Sequence, residues 1–334
     1  MKNSILIILI LALFVSCEKI MFEEDMQTSD PHKNFDYLWN ECDEKYSFFQ
    51  YKNIDWDAMK TKYRPKISES MSDDSLFNVM AAMLKELQDD HTHLISNFNV
   101  SHYGNYQKGQ DNFNWRTIVN HYLPQNYYTT GPFRHEYIRD SIGYIRLSAF
   151  SGNINTTNLN FIFNKYQNSN GLIIDIRENG GGSISGVYSI LSRFIDKKTL
   201  LFYSRIKTGP GHNDFSELES IYIEPVDEAS YNKKVIFLAD RGSYSASSFM
   251  ALGVRAIPNL TLIGDTTGGG LGVPNGGQLP NGWRYRFSIT QTIDQQGNNY
   301  ESGVPPDAHA LFDWKDLSTD EVIETAIDSI NQSK

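Results

Sequence analysis

The run Asp240-Arg241-Gly242-Ser243-Tyr244-Ser245-Ala246-Ser247-Ser248 concentrates hydroxyls where one of them could act as a nucleophile. It follows Lys234-Val235-Ile236-Phe237-Leu238-Ala239, a β-branched and aromatic stretch of the kind found in strands buried on both faces. It precedes Phe249, Met250, Leu252, Gly253 and Ala256, which recur at helical spacing. A strained strand-to-helix turn leaves a serine hydroxyl beside the N–H groups of a helix start, as an attacking serine and its oxyanion hole require. Serine-rich turns of this kind also serve as plain helix N-caps. Hydrolysis is the first hypothesis, and it needs partners elsewhere in the chain.

Three other segments offer them. Gly171-Leu-Ile-Ile-Asp-Ile-Arg-Glu-Asn-Gly-Gly-Gly182 reads as a buried strand ending in three glycines, ahead of a helix-like segment from Ser183 to Ile195. Consecutive glycines let a backbone approach a ligand closely and adopt positive φ. No Gly-Lys-Ser/Thr follows, so a nucleotide cradle is a poor match. Leu87-Gln88-Asp89-Asp90-His91-Thr92-His93-Leu94 closes a helix whose apolar face is Leu76, Val79, Met80, Met83, Leu84 and Leu87. Tyr300-Glu301-Ser302-Gly303-Val304-Pro305-Pro306-Asp307 follows a hairpin turned at Gln296-Gly297-Asn298-Asn299.

A serine hydroxyl at its free pKa is a poor nucleophile and needs a base that titrates near the working pH, the range histidine occupies unaided. A carboxylate beyond the imidazole fixes its tautomer and stabilises the imidazolium; Asp90 or Glu301 could serve. In an extended segment, residues two apart share a face, so periodicity does not separate His91 from His93 as the base. Asp89, Asp90, His91 and His93 are also possible metal ligands, but no further Cys or His cluster supports a metal site.

Taken in order, these motifs resemble the family of C-terminal processing peptidases and the tricorn core protease, serine peptidases with a crotonase-like fold. The resemblance spans nearly the whole chain beyond the leader. It is carried most specifically by Leu172 to Gly182, Ser245-Ala246-Ser247, Ile263-Gly264-Asp265-Thr266-Thr267-Gly268-Gly269 and Gly303-Val304-Pro305-Pro306-Asp307. It implies Ser245 as nucleophile, with the oxyanion held by the N–H of Ala246 and of Gly181 or Gly182. Bacterial and chloroplast members use a serine–lysine dyad; here Gly270 stands at the lysine position, and no lysine occurs between Ser245 and Lys315. Ser248 likewise replaces the glutamate that usually follows Ser-Ala-Ser. The tricorn branch uses a histidine instead, which maps to His91, supported by Asp90 and Glu301. No cofactor is implied.

The elements that must position these residues fit a mixed α/β (α+β) chain, a ClpP/crotonase-like core with a helical N-terminal region. At 334 residues and 40% hydrophobic, the chain can bury a substantial core. A net charge of −10, with no basic run, argues against nucleic-acid partners. Residues 1–16 read as a lipoprotein signal peptide: a basic start at Lys2, an apolar core from Ile5 to Val15, and Phe14-Val15-Ser16-Cys17 as the cleavage box, making Cys17 the expected lipidation site. Lipidation would place the protein on a membrane facing the periplasm or cell surface of a bacterial envelope. Residues 17–31 read as an acidic tether, 32–94 as a three-helix region, 95–140 as a connecting segment too short for a PDZ module, and 141–334 as the catalytic core. Cys42 shares a helical face with Phe35, Leu38, Trp39, Tyr46 and Phe49 and is expected to be an inert buried thiol.

The expected activity is cleavage of peptides or unfolded protein segments outside the cytoplasm. The alternative is a catalytically inactive lipoprotein that binds peptides or apolar ligands on the same scaffold. A crotonase-like acyl transfer would need a nucleotide-bearing acyl carrier, which an envelope lipoprotein would rarely meet.

Overall fold

The computed structural model describes residues 27–105, 109–152 and 154–332. The signal segment and Cys17 lie outside the described residues. In chain order the helices are α1 (Pro31–Lys45), α2 (Trp56–Tyr63), α3 (Asp73–Lys85), α4 (Trp115–His121), α5 (Thr156–Lys165), α6 (Ile184–Leu191), α7 (Ala246–Arg255) and α8 (Glu321–Asn331). The strands are β1 (His93–Ile95), β2 (Val100–His102), β3 (Tyr128–Thr130), β4 (Phe133–Ile138), β5 (Ile142–Leu147), β6 (Leu172–Asp175), β7 (Thr199–Ile206), β8 (Glu219–Ile223), β9 (Val235–Ala239), β10 (Leu260–Gly264), β11 (Pro274–Gln278), β12 (Arg284–Ser288), β13 (Thr290–Ile293) and β14 (Ala308–His309).

A seven-stranded sheet, ordered β14-β10-β9-β6-β5-β4-β3, forms the centre. Its β5, β6, β9, β10 and β14 run parallel, with α5, α6 and α7 in the crossovers that join β5 to β10 and strands of the smaller sheets between β10 and β14, while β4 and β3 extend one side antiparallel. Every residue of β6 and β9 is buried. Leu172, Ile174, Val235 and Phe237 face α5, α6 and α7, while Ile173, Ile236 and Leu238 face α8. This two-sided burial explains their unbroken apolar runs.

The N-terminal helices form a second body. Ser72 caps α3 by accepting the Ser75 amide, with Asp73 and Asp74 in the first turn where the helix dipole favours them. Cys42 is fully buried between these helices, and burial drives its thiol pKa far above the usual range. The helices pack on one face of a four-stranded antiparallel sheet, β11-β12-β1-β2, through Leu94, Tyr285 and Phe287. Along β12, buried Tyr285 and Phe287 alternate with exposed Arg284 and Arg286, so this sheet turns a polar face outward.

Three expectations differ from what is found. The alternation from Trp283 to Ile293 reads in the sequence as a hairpin, but β12 joins the four-stranded sheet while β13 pairs with β7 in a separate three-stranded sheet. Residues 95–140 are not merely connecting, because β3 and β4 belong to the central sheet. The end of the supposed tether is docked: the Thr28 amide donates to the Pro280 carbonyl at 3.0 Å, and Asp30 caps α1.

Candidate active site

Ser245 stands between β9 and α7 with φ 56° and ψ −119°, a strained conformation for a residue with a side chain. Several contacts hold it there. Asp240 Oδ1 accepts the amides of Ser243 and Glu178 at 3.0 and 2.8 Å, joining the ends of β9 and β6. The Ser245 amide donates to the Gly269 carbonyl at 3.0 Å. The carbonyl of fully buried Asn179 accepts the Tyr244 amide at 3.0 Å and the Ser247 hydroxyl at 2.7 Å.

The same Asn179 shapes the glycine turn. Its Oδ1 accepts the Gly181 amide at 2.9 Å, and its Nδ2 donates to the Leu147 carbonyl at 2.9 Å. Gly181 packs so closely that a Cβ there would lie 2.8 Å from Ser245 Cβ and 2.9 Å from the Ala246 nitrogen. With its N–H already engaged, Gly181 is not a free donor. The amides of Gly182 and Ala246 donate to no group among the described residues, and Gly182 lines the same cleft as Ser245.

His91 arrives from the N-terminal body, in the turn between α3 and β1. Its Nε2 lies 3.0 Å from Ser245 Oγ. The ring sits against Tyr244, centroids 4.9 Å apart. His93 is turned elsewhere: its Nδ1 lies 3.2 Å from the His91 carbonyl and accepts Arg286 Nε at 2.9 Å. Alternation could not separate the two histidines because His91 precedes the strand, in a turn with its own geometry.

The carboxylates are arranged differently from the sequence-based expectation. Asp90 makes no hydrogen bond to the imidazole; its Oδ1 accepts the amides of Gly104 and, at 2.9 Å, Asn105, so it anchors a loop. The buried neighbour is Asp89, whose Oδ1 accepts the His91 amide at 2.8 Å. Asp89 Oδ2 and His91 Nδ1 have no hydrogen-bond partner among the described residues. Glu301 Oε2 accepts the amides of Leu271 and Gly272 at 2.7 and 3.1 Å, fixing the loop that walls the cleft. Lys52 Nζ lies 4.0 Å from Asp89 Oδ2 and 3.8 Å from Glu301 Oε1.

These surroundings set the protonation states. Burial lowers the His91 pKa below the ordinary histidine value, opposed by the negative charge of Asp89 and aided by Arg286. For Asp89, burial pulls upward, but Lys52, His91 and its hydrogen bonds leave the pKa below the ordinary value. Burial first, and then Asp89, push Glu301 up to about 8. Of the two carboxyls, Asp89 carries the charge at neutral pH.

Two departures from the dyad pattern have structural causes. A Cβ on Gly270 would lie 2.4 Å from Tyr244 Cζ, so no lysine fits there with this ring in place. Ser248 is buried and donates to Thr267 Oγ1 at 2.9 Å, which in turn accepts the Val304 amide. Ser245 and His91 thus meet in a cleft of about 790 Å³, lined also by Gly180, Ser183, Phe249, Val273 and Pro274. Sequence reasoning missed Lys52, Asn179 and the placement of Asp89; only Asp89 had a local signal, its position in the Gln88-Asp89-Asp90-His91 run.

Comparison with known proteins identifies the family. Residues 141–310 match the model of peptidase family S41, and residues 28–85 match that of the tricorn protease C1 domain. A candidate peptidase of solved structure from Parabacteroides merdae is 36% identical, with a TM-score of 0.85 over 91% of this chain and 97% of that one. Mature CPAF shares the fold at 12% identity and a TM-score of 0.68, covering 91% and 98% of the two chains. The carboxy-terminal processing protease CtpB of Bacillus subtilis is 26% identical over 168 residues, which is 50% of this chain and only 33% of that protein. The match to the S41 model, which covers the whole Ser245 region, and the relative aligned along nearly its full length establish that this chain belongs to peptidase family S41, a family of serine peptidases.

Proposed function

We propose that the protein is a lipid-anchored peptidase that cleaves peptides or unfolded protein segments outside the cytoplasm, with Ser245 as nucleophile and His91 as base. The observation that carries this reading is the 3.0 Å approach of His91 Nε2 to Ser245 Oγ at a strained turn. The neutral imidazole, with its proton on Nδ1, takes the serine proton as Oγ attacks the scissile carbonyl. The developing oxyanion is received by the Gly182 and Ala246 amides. Collapse breaks the C–N bond, and His91 returns the proton to the leaving amine. Water then attacks the acyl-serine as His91 takes its proton; the acyl C–O bond breaks, His91 returns that proton to Ser245 Oγ, and the new carboxylate leaves. The charge of Asp89 favours the transient imidazolium, while Lys52 keeps that carboxylate ionised and Glu301 holds the cleft wall.

A fluorophosphonate probe tests the catalytic assignment. Stoichiometric labelling that Ser245→Ala abolishes is the expected result; an unlabelled native chain would favour the non-catalytic binder. Lipid attachment is tested by incorporation of labelled fatty acid, expected to vanish in Cys17→Ser. No helix among the described residues is long and apolar enough to cross a membrane.

A further inference from the structure

Arg286, His93 and His102 stand in one row across three adjacent strands. Arg286 of β12 is the register partner of His93 of β1, which is in turn the partner of His102 of β2. Directly paired residues share a face of a sheet, and all three side chains line the cleft that contains Ser245 and His91. On the fourth strand the partner of Arg286 is Gly276. A Cβ there would lie 1.8 Å from the Tyr285 carbonyl oxygen, so no side chain extends the row over the guanidinium.

The row is ordered around the Arg286 guanidinium. Arg286 Nε donates to His93 Nδ1 at 2.9 Å. A guanidinium has no lone pair to offer, so in this contact Nδ1 accepts, as the Nε2-protonated tautomer of His93 allows. The rings of His93 and His102 lie 5.9 Å apart at 31°, which backs His93 from the far side. With Nε engaged, the two terminal nitrogens of Arg286 remain; they have no hydrogen-bond partner among the described residues and no carboxylate within ion-pair distance. Asp90, the acidic side chain lining this cleft, is engaged by the Gly104 and Asn105 amides. A guanidinium held by an imidazole on one side and open over a glycine on the other is an arrangement that can receive a planar carboxylate through two charge-assisted hydrogen bonds.

We propose that the Arg286–His93–His102 row is a substrate-recognition subsite for a carboxylate, supplied either by the C-terminus of a peptide or by an aspartate or glutamate side chain near the scissile bond. This rests on reading the cleft as a peptidase site and adds the class of substrate it selects.

The test uses the full chain, purified in detergent and carrying Ser245→Ala so that peptides stay intact. A pool of synthetic decapeptides is offered in three forms: with free C-terminal carboxylates, as C-terminal amides, and with every Asp and Glu replaced by Asn and Gln. Retention on the immobilised protein is read by mass spectrometry. The carboxylate-bearing form is expected to be retained about tenfold over its neutral counterpart, as charge-assisted pairing provides. That ratio is expected to fall to about one with Arg286→Leu and to be partly kept with Arg286→Lys. Loss confined to the amides identifies the chain terminus as the ligand; loss confined to the Asn/Gln set identifies the side chain. Equal retention of all three forms by the protein with Arg286 intact overturns the proposal without recourse to a variant. Failure of the native chain to react with a fluorophosphonate would refute the peptidase reading separately, and peptide retention would still decide the subsite.

Discussion

The ring of Tyr244 occupies the space that any side chain at position 270 would need, with a Cβ on Gly270 falling 2.4 Å from Tyr244 Cζ. Gly270 also has φ 74°, a conformation that disfavours side chains. Both features exclude a lysine at this position, which under the proposed mechanism leaves the base role to histidine. Gly270→Lys is expected not to restore hydrolysis in a His91→Ala background, and to destabilise the fold by about 1–3 kcal/mol through overpacking. Peptide hydrolysis and urea unfolding of the single and double variants check both parts.

Ser245→Ala and His91→Ala are expected to lower kcat alike, by roughly four orders of magnitude, and the double variant is expected to be no worse, because the two residues act as a unit. His93→Ala is expected to act on KM instead of kcat, since its ring contacts Arg286 and not the serine. A reversed ranking of the two histidines in steady-state kinetics would move the base role to His93.

Glu301 gives stability a distinctive pH dependence. Its folded pKa, about 8, is raised above the ordinary 4.5, so the native state binds a proton that the unfolded state releases. That contribution is fully present below pH 4.5 and is lost as pH rises through 8. Glu301→Gln, which stays neutral, is expected to flatten the decline between pH 5 and 8. Urea midpoints of both proteins across that interval provide the measurement, and parallel curves would refute the assignment.

The depressed pKa of His91 works in the other direction. The folded ring resists protonation, so its contribution to stability is present above about pH 6.5 and is lost as pH falls through the lower folded value. As the base must be neutral, the acid limb of kcat/KM for an uncharged substrate is expected below pH 6.5. Asp89→Asn removes the charge that favours the imidazolium and is expected to shift that limb further down while reducing kcat.

Asn179 joins the glycine turn to the nucleophile turn, and Asn179→Ala leaves the Gly181 amide and Leu147 carbonyl without their partner. A cost of about 1–3 kcal/mol in stability is expected for these buried groups. Turnover should fall with little change in KM, because the Gly182 amide loses its alignment. Thermal melting and steady-state kinetics separate the two effects.

The parts legible in the sequence were those written into short contiguous runs. Val235 to Ala239 and Leu172 to Asp175 announce buried strands because both of their faces are covered, and the Ser245 turn follows directly from one of them. The hairpin reading failed at Ile289: its amide donates to the Val273 carbonyl at 3.0 Å, at the point where the chain passes from one sheet to another, and alternation carries no mark of such an exchange. β4 was hidden because Arg134 and Glu136 interrupt its apolar residues. α8 did carry a pattern, Val322, Ile323, Ala326, Ile327 and Ile330, that was readable as an amphipathic helix and was not read. The choice between Asp89 and Asp90 was not legible, because the turn that aims them depends on Gln88 at φ 49° and on the Gly104 loop across from it.

Ser245 and His91 belong to different bodies of the fold, 154 positions apart, and the 3.0 Å contact between them spans the boundary. Synthesis delivers His91 long before Ser245, so under the proposed mechanism the chain has no reactive pair until the two bodies have closed on each other. Any agent that pries them apart would act as an off-switch without touching the reacting groups.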